Sequence, residues 1–420
     1  MSFLNVGLSE AVMQGISASG YSRPTEIQRK AIPLVLAGKD LIGCAPTGTG
    51  KTAAFVLPIL HSLGKPRLNP KVQPSVHARH SHFPRALILT PTRELAAQIE
   101  EAIRAYGKHC ALKSVSIYGG VDINGQIRSL RNGADIVVAT PGRLIDHMDR
   151  RSIDLSRIEI LVIDEADRMF DMGFIKAVRQ IIARVPRERQ TLLFSATMSP
   201  EVRSLVANIQ RTPHYIEIGE PFSPVTTVSQ KVYRVSQFTK TNFLVHILKN
   251  ETVETMLVFS RTKHGADKIA RQLERSGIKT AAIHSNRSQS QRQKTLEGFK
   301  RRFFQVLVAT DVAARGIDVV GITHVVNYDT PRFAEDYIHR IGRTGRAEKK
   351  GIAFTFVARD EEKYLRKIEL MIGKRFEISG YPGFVCDEPP VAAAAVPECV
   401  PYFGRRTMSF STQRFASRRS

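Results

Sequence analysis

The sequence predicts an α/β protein built from two parallel-sheet domains in tandem. Its 420 residues exceed what one hydrophobic core usually supports, and a hydrophobic content of 42% is ample for two packed domains. Short apolar, β-rich runs alternate with helical patterns, the rhythm of βαβ units with helices on both faces of a sheet. That rhythm is interrupted by a Pro-rich, strand-poor stretch near 211–230, which reads as a linker.

The elements follow in order. DLIGCA at 40–45 precedes the helical KTAAFVLPILHSL, and ALILT at 86–90 precedes RELAAQIEEAIRAYGKH. DIVVAT at 135–140, EILVID at 159–164 and TLLFSA at 191–196 complete the first series. The second runs TMLVFS at 255–260, HGADKIARQLERSG, TAAIHS at 280–285, QVLVATD at 305–311, HVVNYD at 324–329 and AFTFV at 353–357. The expected boundaries are a first domain over 1–212, a linker over 213–230, a second domain over 231–382 and a disordered basic tail over 383–420. The segment 64–85 also stands outside the rhythm.

Charge narrows the partner. Sixty-two Lys and Arg against 39 Asp and Glu give a net charge of +23, and nucleic acid is the polyanion that such an imbalance suits. No run of eighteen apolar residues occurs, and MSFLNVGLSEAVMQG lacks a secretory signal's basic start and apolar stretch, so a soluble, cytoplasmic protein with no membrane partner is expected. Four scattered cysteines, without a C-x-x-C or a nearby His at ligand spacing, support neither a disulfide framework nor a zinc site.

Two stretches carry chemistry. APTGTGKT at 45–52, set between a strand and a helix, has the makings of a phosphate-binding loop: backbone N–H groups cradle phosphate, Lys51 meets the β/γ-phosphates and Thr52 ligates Mg²⁺. Ala45 stands where the general pattern has its first Gly. VIDEAD at 162–167 crowds three acids at the end of a strand. A phosphate loop needs such an acid to hold the same Mg²⁺, the role that falls to Asp164. Glu165 is then placed to orient or deprotonate the water that attacks the γ-phosphate. Asp167 is expected to pair with a basic side chain from elsewhere.

With SAT (Ser195, Ala196, Thr197) after them, these stretches resemble the DEAD-box RNA helicases of superfamily 2, and most closely the bacterial RhlE subgroup. The resemblance runs from Phe3 to about Pro382 and includes GYSRPTEIQ, PTREL, Gly119-Gly120, TPGR, VFSRT, ATDVAARGID and HRIGRTGR. It implies two RecA-like domains and an RNA-dependent ATPase using ATP and Mg²⁺. The implied nucleotide site comprises Ala45, Pro46, Thr47, Gly48, Thr49, Gly50, Lys51 and Thr52, with Arg23, Gly316 and Asp318. Gln28 would read the adenine edge, and Phe3 or Tyr21 would stack on its face. Arg343 and Arg346 look like arginine fingers that act when the domains close.

RNA contacts are implied for Pro91, Thr92, Arg93, Gly119, Gly120, Thr140, Gly142 and Arg143, and in the second domain for Ser260, Arg261, Gln289, Arg292, Thr310 and Asp311. Such backbone, hydroxyl and guanidinium donors suit phosphate and sugar rather than bases. Ser195 to Thr197 and His339 would couple the nucleotide to the RNA. Closure would bend one strand and locally destabilise a short duplex. Ribosome assembly and mRNA decay would both use this core. The basic, aromatic-interleaved tail PYFGRRTMSFSTQRFASRRS could tether RNA without choosing a sequence.

Overall fold

The computed structural model describes residues 3–46, 48–64, 83–210, 212–218, 227–314, 319, 321–345, 350–378 and 380–384. Residues 385–420 of the expected tail, Thr47, Gly316, Asp318 and Arg346 lie outside the described residues, whereas Gly383 and Phe384, expected in the disordered tail, are described and Phe384 packs on the second domain. So do 65–82 of the segment outside the rhythm and 219–226 of the expected linker.

The first domain comprises α1 (Glu10–Ala18), α2 (Glu26–Leu36), β1 (Leu41–Cys44), α3 (Lys51–Gly64), β2 (Ala86–Leu89), α4 (Arg93–Tyr106), β3 (Ser114–Ile117) and α5 (Ile123–Arg131). It continues with β4 (Ile136–Ala139), α6 (Pro141–Asp149), β5 (Ile160–Ile163), α7 (Ala166–Asp171), α8 (Ile175–Ile182), β6 (Gln190–Ser195), α9 (Pro200–Ile209) and β7 (His214–Glu217). The second holds β8 (Val228–Arg234), α10 (Lys240–Asn250), β9 (Met256–Phe259), α11 (Lys263–Arg275), β10 (Thr280–Ile283) and α12 (Gln289–Lys300). After these come β11 (Val306–Ala309), α13 (Asp311–Ala314), β12 (His324–Asn327), α14 (Ala334–Ile341), β13 (Gly351–Val357) and α15 (Glu362–Ile372).

Every strand pairing is parallel, in the orders β3-β4-β2-β5-β6-β1-β7 and β10-β11-β9-β12-β13-β8. The side-chain period of two decides how the strands are buried. In β2, Ala86 and Ile88 join the core with α2, α3 and α4, whereas Leu87 and Leu89 join the core on the opposite face. A sheet covered on both faces needs apolar residues throughout, which is why these strands read as continuous runs.

Three strands, β3, β7 and β8, are edges that the apolar-run reading passes over. His214, Tyr215 and Glu217 of β7 are exposed and only Ile216 is buried, so its sequence carries no run. β7 falls inside the stretch read as linker and β8 begins in it: β7 pairs with β1 in the first sheet and β8 with β13 in the second. Tyr381 and Phe384 pack on the second domain's core beside Phe243.

The parallel arrangement also places the motifs. Because all strands of a sheet point the same way, the segments after β1, β2, β4, β5 and β6 emerge along one edge. These are the phosphate loop, PTREL, TPGR, the acidic motif and SAT. Segments after β9, β10, β11 and β12 line the matching edge of the second domain.

Candidate active site between the domains

The phosphate loop turns from β1 into α3 through Gly48 and Gly50, at φ of +86° and +92°, a region that favours glycine. At Gly50 there is a second reason: a Cβ would stand 2.4 Å from Gln28 Nε2. Gln28 is fully buried and pins the loop, its Nε2 donating to the Gly50 carbonyl at 3.0 Å while its Oε1 accepts from the Thr25 N–H at 2.9 Å. Thr49 Oγ1 donates to the Pro46 carbonyl. Lys51 donates to the carbonyls of Ala45 and Pro46. Burial lowers its pKa against the opposing pull of Asp164, Asp167 and Glu165. Thr52, half-buried, follows on the first turn of α3. Phe3 is packed into the first domain's core, whereas Tyr21 is exposed and meets Tyr106 edge-on at 5.8 Å. Arg23 is exposed.

The acidic motif lies beside this loop. Asp164 and Glu165 are both buried, and burial, followed by the charge of Glu165, pushes Asp164 up to about 7 while Lys51 pulls it down. Neighbouring cations, Lys51 for Asp164 and Arg168 for Glu165, offset part of this repulsion. Glu165 has φ of +52°, in the left-handed region that non-glycine residues rarely occupy. Its two carboxylate oxygens accept from Arg168 Nη1 at 3.0 and 2.8 Å.

Asp167 corrects an expectation. Instead of forming a hydrogen-bonded pair with a base from elsewhere, its Oδ2 accepts from the N–H groups of Ala196 and Thr197 at 3.0 and 2.9 Å and from Thr197 Oγ1 at 3.2 Å. Its own N–H donates to Ser195 Oγ. A carboxylate is a strong acceptor for backbone donors that the end of a strand leaves unpaired.

Of the residues expected to face RNA, several are engaged within the protein. The Arg93 guanidinium lies against Gly119 and Gly120, where a Cβ on Gly120 would stand 2.0 Å from Nη1. Thr92 caps α4, with Pro91 buried before it. Thr140 precedes α6 as its cap residue, Gly142 is open on the first turn, and Arg143 donates to Val121 and Gln126. In the second domain Ser260 Oγ and the Arg261 N–H share Asp329, while the Arg261 guanidinium pairs with buried Glu361. Thr310 is half-buried after β11, and Asp311 receives two bonds from Arg340 at 2.6 and 2.7 Å.

Gln289 and Arg292 reach across the domain boundary, each 3.0 Å from Glu94 of PTREL. The helix α14 closes from the same side. His339 is held well below its usual pKa by burial and then by the cations Arg168 and Arg343, one from each domain, and Arg343 is itself buried. A cleft of about 1110 Å³ separates the domains beside SAT, with Asp167, Thr197, Arg261, Asp311 and His339 on its walls. The sequence reading passed over Glu94, Arg168, Asp329, Arg340 and Glu361. Glu94 lies within PTREL, Arg340 within HRIGRTGR and Arg168 directly after the acidic motif, so these three had a local signal that Asp329 and Glu361 lacked.

A phosphate loop and acid pair at the strand ends of one parallel-sheet domain, facing a second such domain across a cleft, define a RecA-like ATPase. Residues 25–205 match the family model described as DEAD/DEAH box helicase, and residues 239–348 match the helicase conserved C-terminal domain. The ATP-dependent RNA helicase CshA of Listeria monocytogenes is 44% identical over 377 residues, covering 89% of this chain and 69% of the relative. The chain belongs to the DEAD-box family of ATP-dependent RNA helicases. Bacillus relatives also carry the name CshA, so the finer expectation of an RhlE-type protein is not supported.

Solved structures locate the domain arrangement. Saccharomyces cerevisiae Dbp5 bound to RNA and ADP BeF3 superimposes with a TM-score of 0.78 at 32% identity, over 90% of this chain and 95% of that one. A DEAD box protein from Methanococcus jannaschii is closer in sequence, 38% identical over 90% of this chain and 99% of that one, yet scores only 0.52. Higher identity with a lower score is what a different mutual placement of the domains produces, and this chain superimposes better on the arrangement of RNA-bound Dbp5.

Proposed function

We propose that ATP hydrolysis in this helicase is carried by Lys51, Asp164, Glu165 and the two arginines Arg343 and Arg346, with Mg²⁺ held by Thr52 and Asp164. The observation that supports this most is the buried pair Asp164 and Glu165 beside Lys51, a carboxylate site whose charge repulsion a divalent cation relieves. When bound, Mg²⁺ neutralises phosphate charge. The chain's own groups do the rest. Glu165 takes the proton of the attacking water, whose oxygen bonds to the γ-phosphorus as the bond to the β–γ bridging oxygen breaks, and ADP and phosphate leave. Lys51 and the arginines stabilise the charge spread over the transferring group.

RNA backbone binds along the exposed strand-end edge, at Arg93 with Gly119 and Gly120 and at the open N-terminus of α6 around Gly142. The net charge of +23 favours such binding to any sequence, which suits cytoplasmic ribosomal and mRNA-decay assemblies alike. Glu165→Gln tests the core of this reading. The amide keeps the size but cannot act as a base, so turnover should fall by about 10² to 10⁴ while ATP and RNA still bind. Hydrolysis at the parent rate would remove Glu165 from this role.

A further inference from the structure

We propose that Arg168 is a positioning residue that orients the Glu165 carboxylate toward the hydrolytic water, and that its hold is completed by Asp336 when the second domain closes. The inference rests on the reading of Glu165 as the water-activating group.

The geometry begins at the backbone. Glu165 occupies the cap position of α7 in the left-handed region, with no side-chain capping bond to the helix backbone. Its carboxylate is therefore not fixed by capping. What fixes it is Arg168, three residues on, whose Nη1 alone contacts both carboxylate oxygens at 3.0 and 2.8 Å. This leaves each oxygen a further lone pair with which to accept from water, so the contact orients the base without occupying it.

The second observation is the other end of the guanidinium. Arg168 is only 2% exposed, yet its Nη2 has no hydrogen-bond partner among the described residues. A buried charged donor without a partner is costly, and a structure keeps one where another group completes it or where it serves a function. The element closing on this side is α14. Asp336 lines the interdomain cleft together with Asp167 and His339. Burial works against the charge of Arg168, but Glu165, Asp167 and, from the second domain, Asp336 raise its pKa. Arg168 in turn lowers that of His339. Asp336 and His339 are three residues apart, hence on one face of α14, and that face carries the field that Arg168 feels.

Separating the domains removes the Asp336 carboxylate, leaving Arg168 balanced by its own domain alone and freer to leave Glu165. Closing them restores it. The device ties orientation of the base to the same movement that brings Arg343, so that water is not activated in the open form. It acts by orientation, where a misplacement of about 1 Å can cost roughly a hundredfold in rate.

RNA-stimulated steady-state ATPase of the full chain tests this with Arg168→Ala, Arg168→Lys, Asp336→Asn, Glu165→Gln and the double variant Glu165→Gln/Arg168→Ala. Arg168→Ala should lower kcat by about 10- to 100-fold with KM for ATP within about twofold, the pattern of an interaction made in the transition state. Arg168→Lys, which keeps the charge but not the fork, should recover part of the loss, and Asp336→Asn should lower kcat in the same direction by less. In the Glu165→Gln background Arg168→Ala should cost nothing more, because the group it orients is gone. An unchanged kcat for Arg168→Ala, or an equal further loss in the Glu165→Gln background, overturns the proposal. If Arg168→Ala fails to bind ATP and has not folded, Arg168→Lys and Asp336→Asn decide, and parental kcat in both overturns it. Glu165→Gln at the parent rate would instead sink the reading beneath, so the two failures are distinguishable.

Discussion

Gln28 has two N–H donors and two lone pairs on its amide, and the fold engages one N–H with Gly50 and one lone pair with Thr25. One of each remains, the complement of an adenine edge with its N7 acceptor and N6 donor. The same side chain can thus hold the phosphate loop and read the base. Gln28→Ala should weaken ATP and narrow its advantage over GTP, by about 1 to 3 kcal/mol for the lost base contacts. Titrating both nucleotides checks this, and equal weakening of both would mean that Gln28 supports the loop alone. Asp164 illustrates the opposite case: burial and the charge of Glu165 raise its pKa, and Lys51 lowers it.

The end of β6 works as one element with the start of α7. Asp167 on α7 accepts from two backbone N–H groups and one hydroxyl of SAT, so a shift of either segment is felt by the other. SAT also borders the cleft between the domains, where the second domain's Arg261, Asp311 and His339 face it. Charge-assisted bonds to a carboxylate are roughly twice as strong as neutral ones. Asp167→Asn keeps the shape and discards that strength, so ATP should still bind while less RNA duplex is unwound per ATP hydrolysed. Strand-separation and phosphate-release assays run on one sample give that ratio, and a parental value would show that the carboxylate is only a local clasp.

At the scale of the molecule, closure depends on contacts that neither domain makes alone. Glu94 is 6% exposed and binds both Gln289 and Arg292 from the other domain, so its loss leaves a largely shielded cation and a buried amide without their partner. Breaking a buried ion pair on one side costs about 3–5 kcal/mol. That cost falls on the closed form alone. Glu94→Ala should therefore raise the RNA concentration needed for half-maximal ATPase by about tenfold or more and leave ATP binding to the open form unchanged. If Gln289 and Arg292 served RNA directly, freeing them from Glu94 would strengthen RNA binding instead, and an RNA titration separates the two outcomes. These contacts join the domains in an arrangement that superimposes on RNA-bound Dbp5 with a TM-score of 0.78.

The amino-acid sequence by itself determined the α/β class, the buried strands, the phosphate loop and the acid pair. These are local: a strand covered on both faces must be apolar throughout, and a loop that cradles phosphate needs its Gly, Lys and Thr within a few positions. The edge strands β3, β7 and β8 were hidden because an edge exposes part of its surface and so loses the apolar run. The tertiary structure alone decided that Asp167 takes backbone N–H groups rather than a base, that Arg340 holds Asp311, and that Glu94 meets Gln289 and Arg292. The members of each pair lie on different elements or different domains. Their pairing depends on which strand ends the sheet order sets side by side and on how the two sheets close, and neither leaves a periodic trace in the chain.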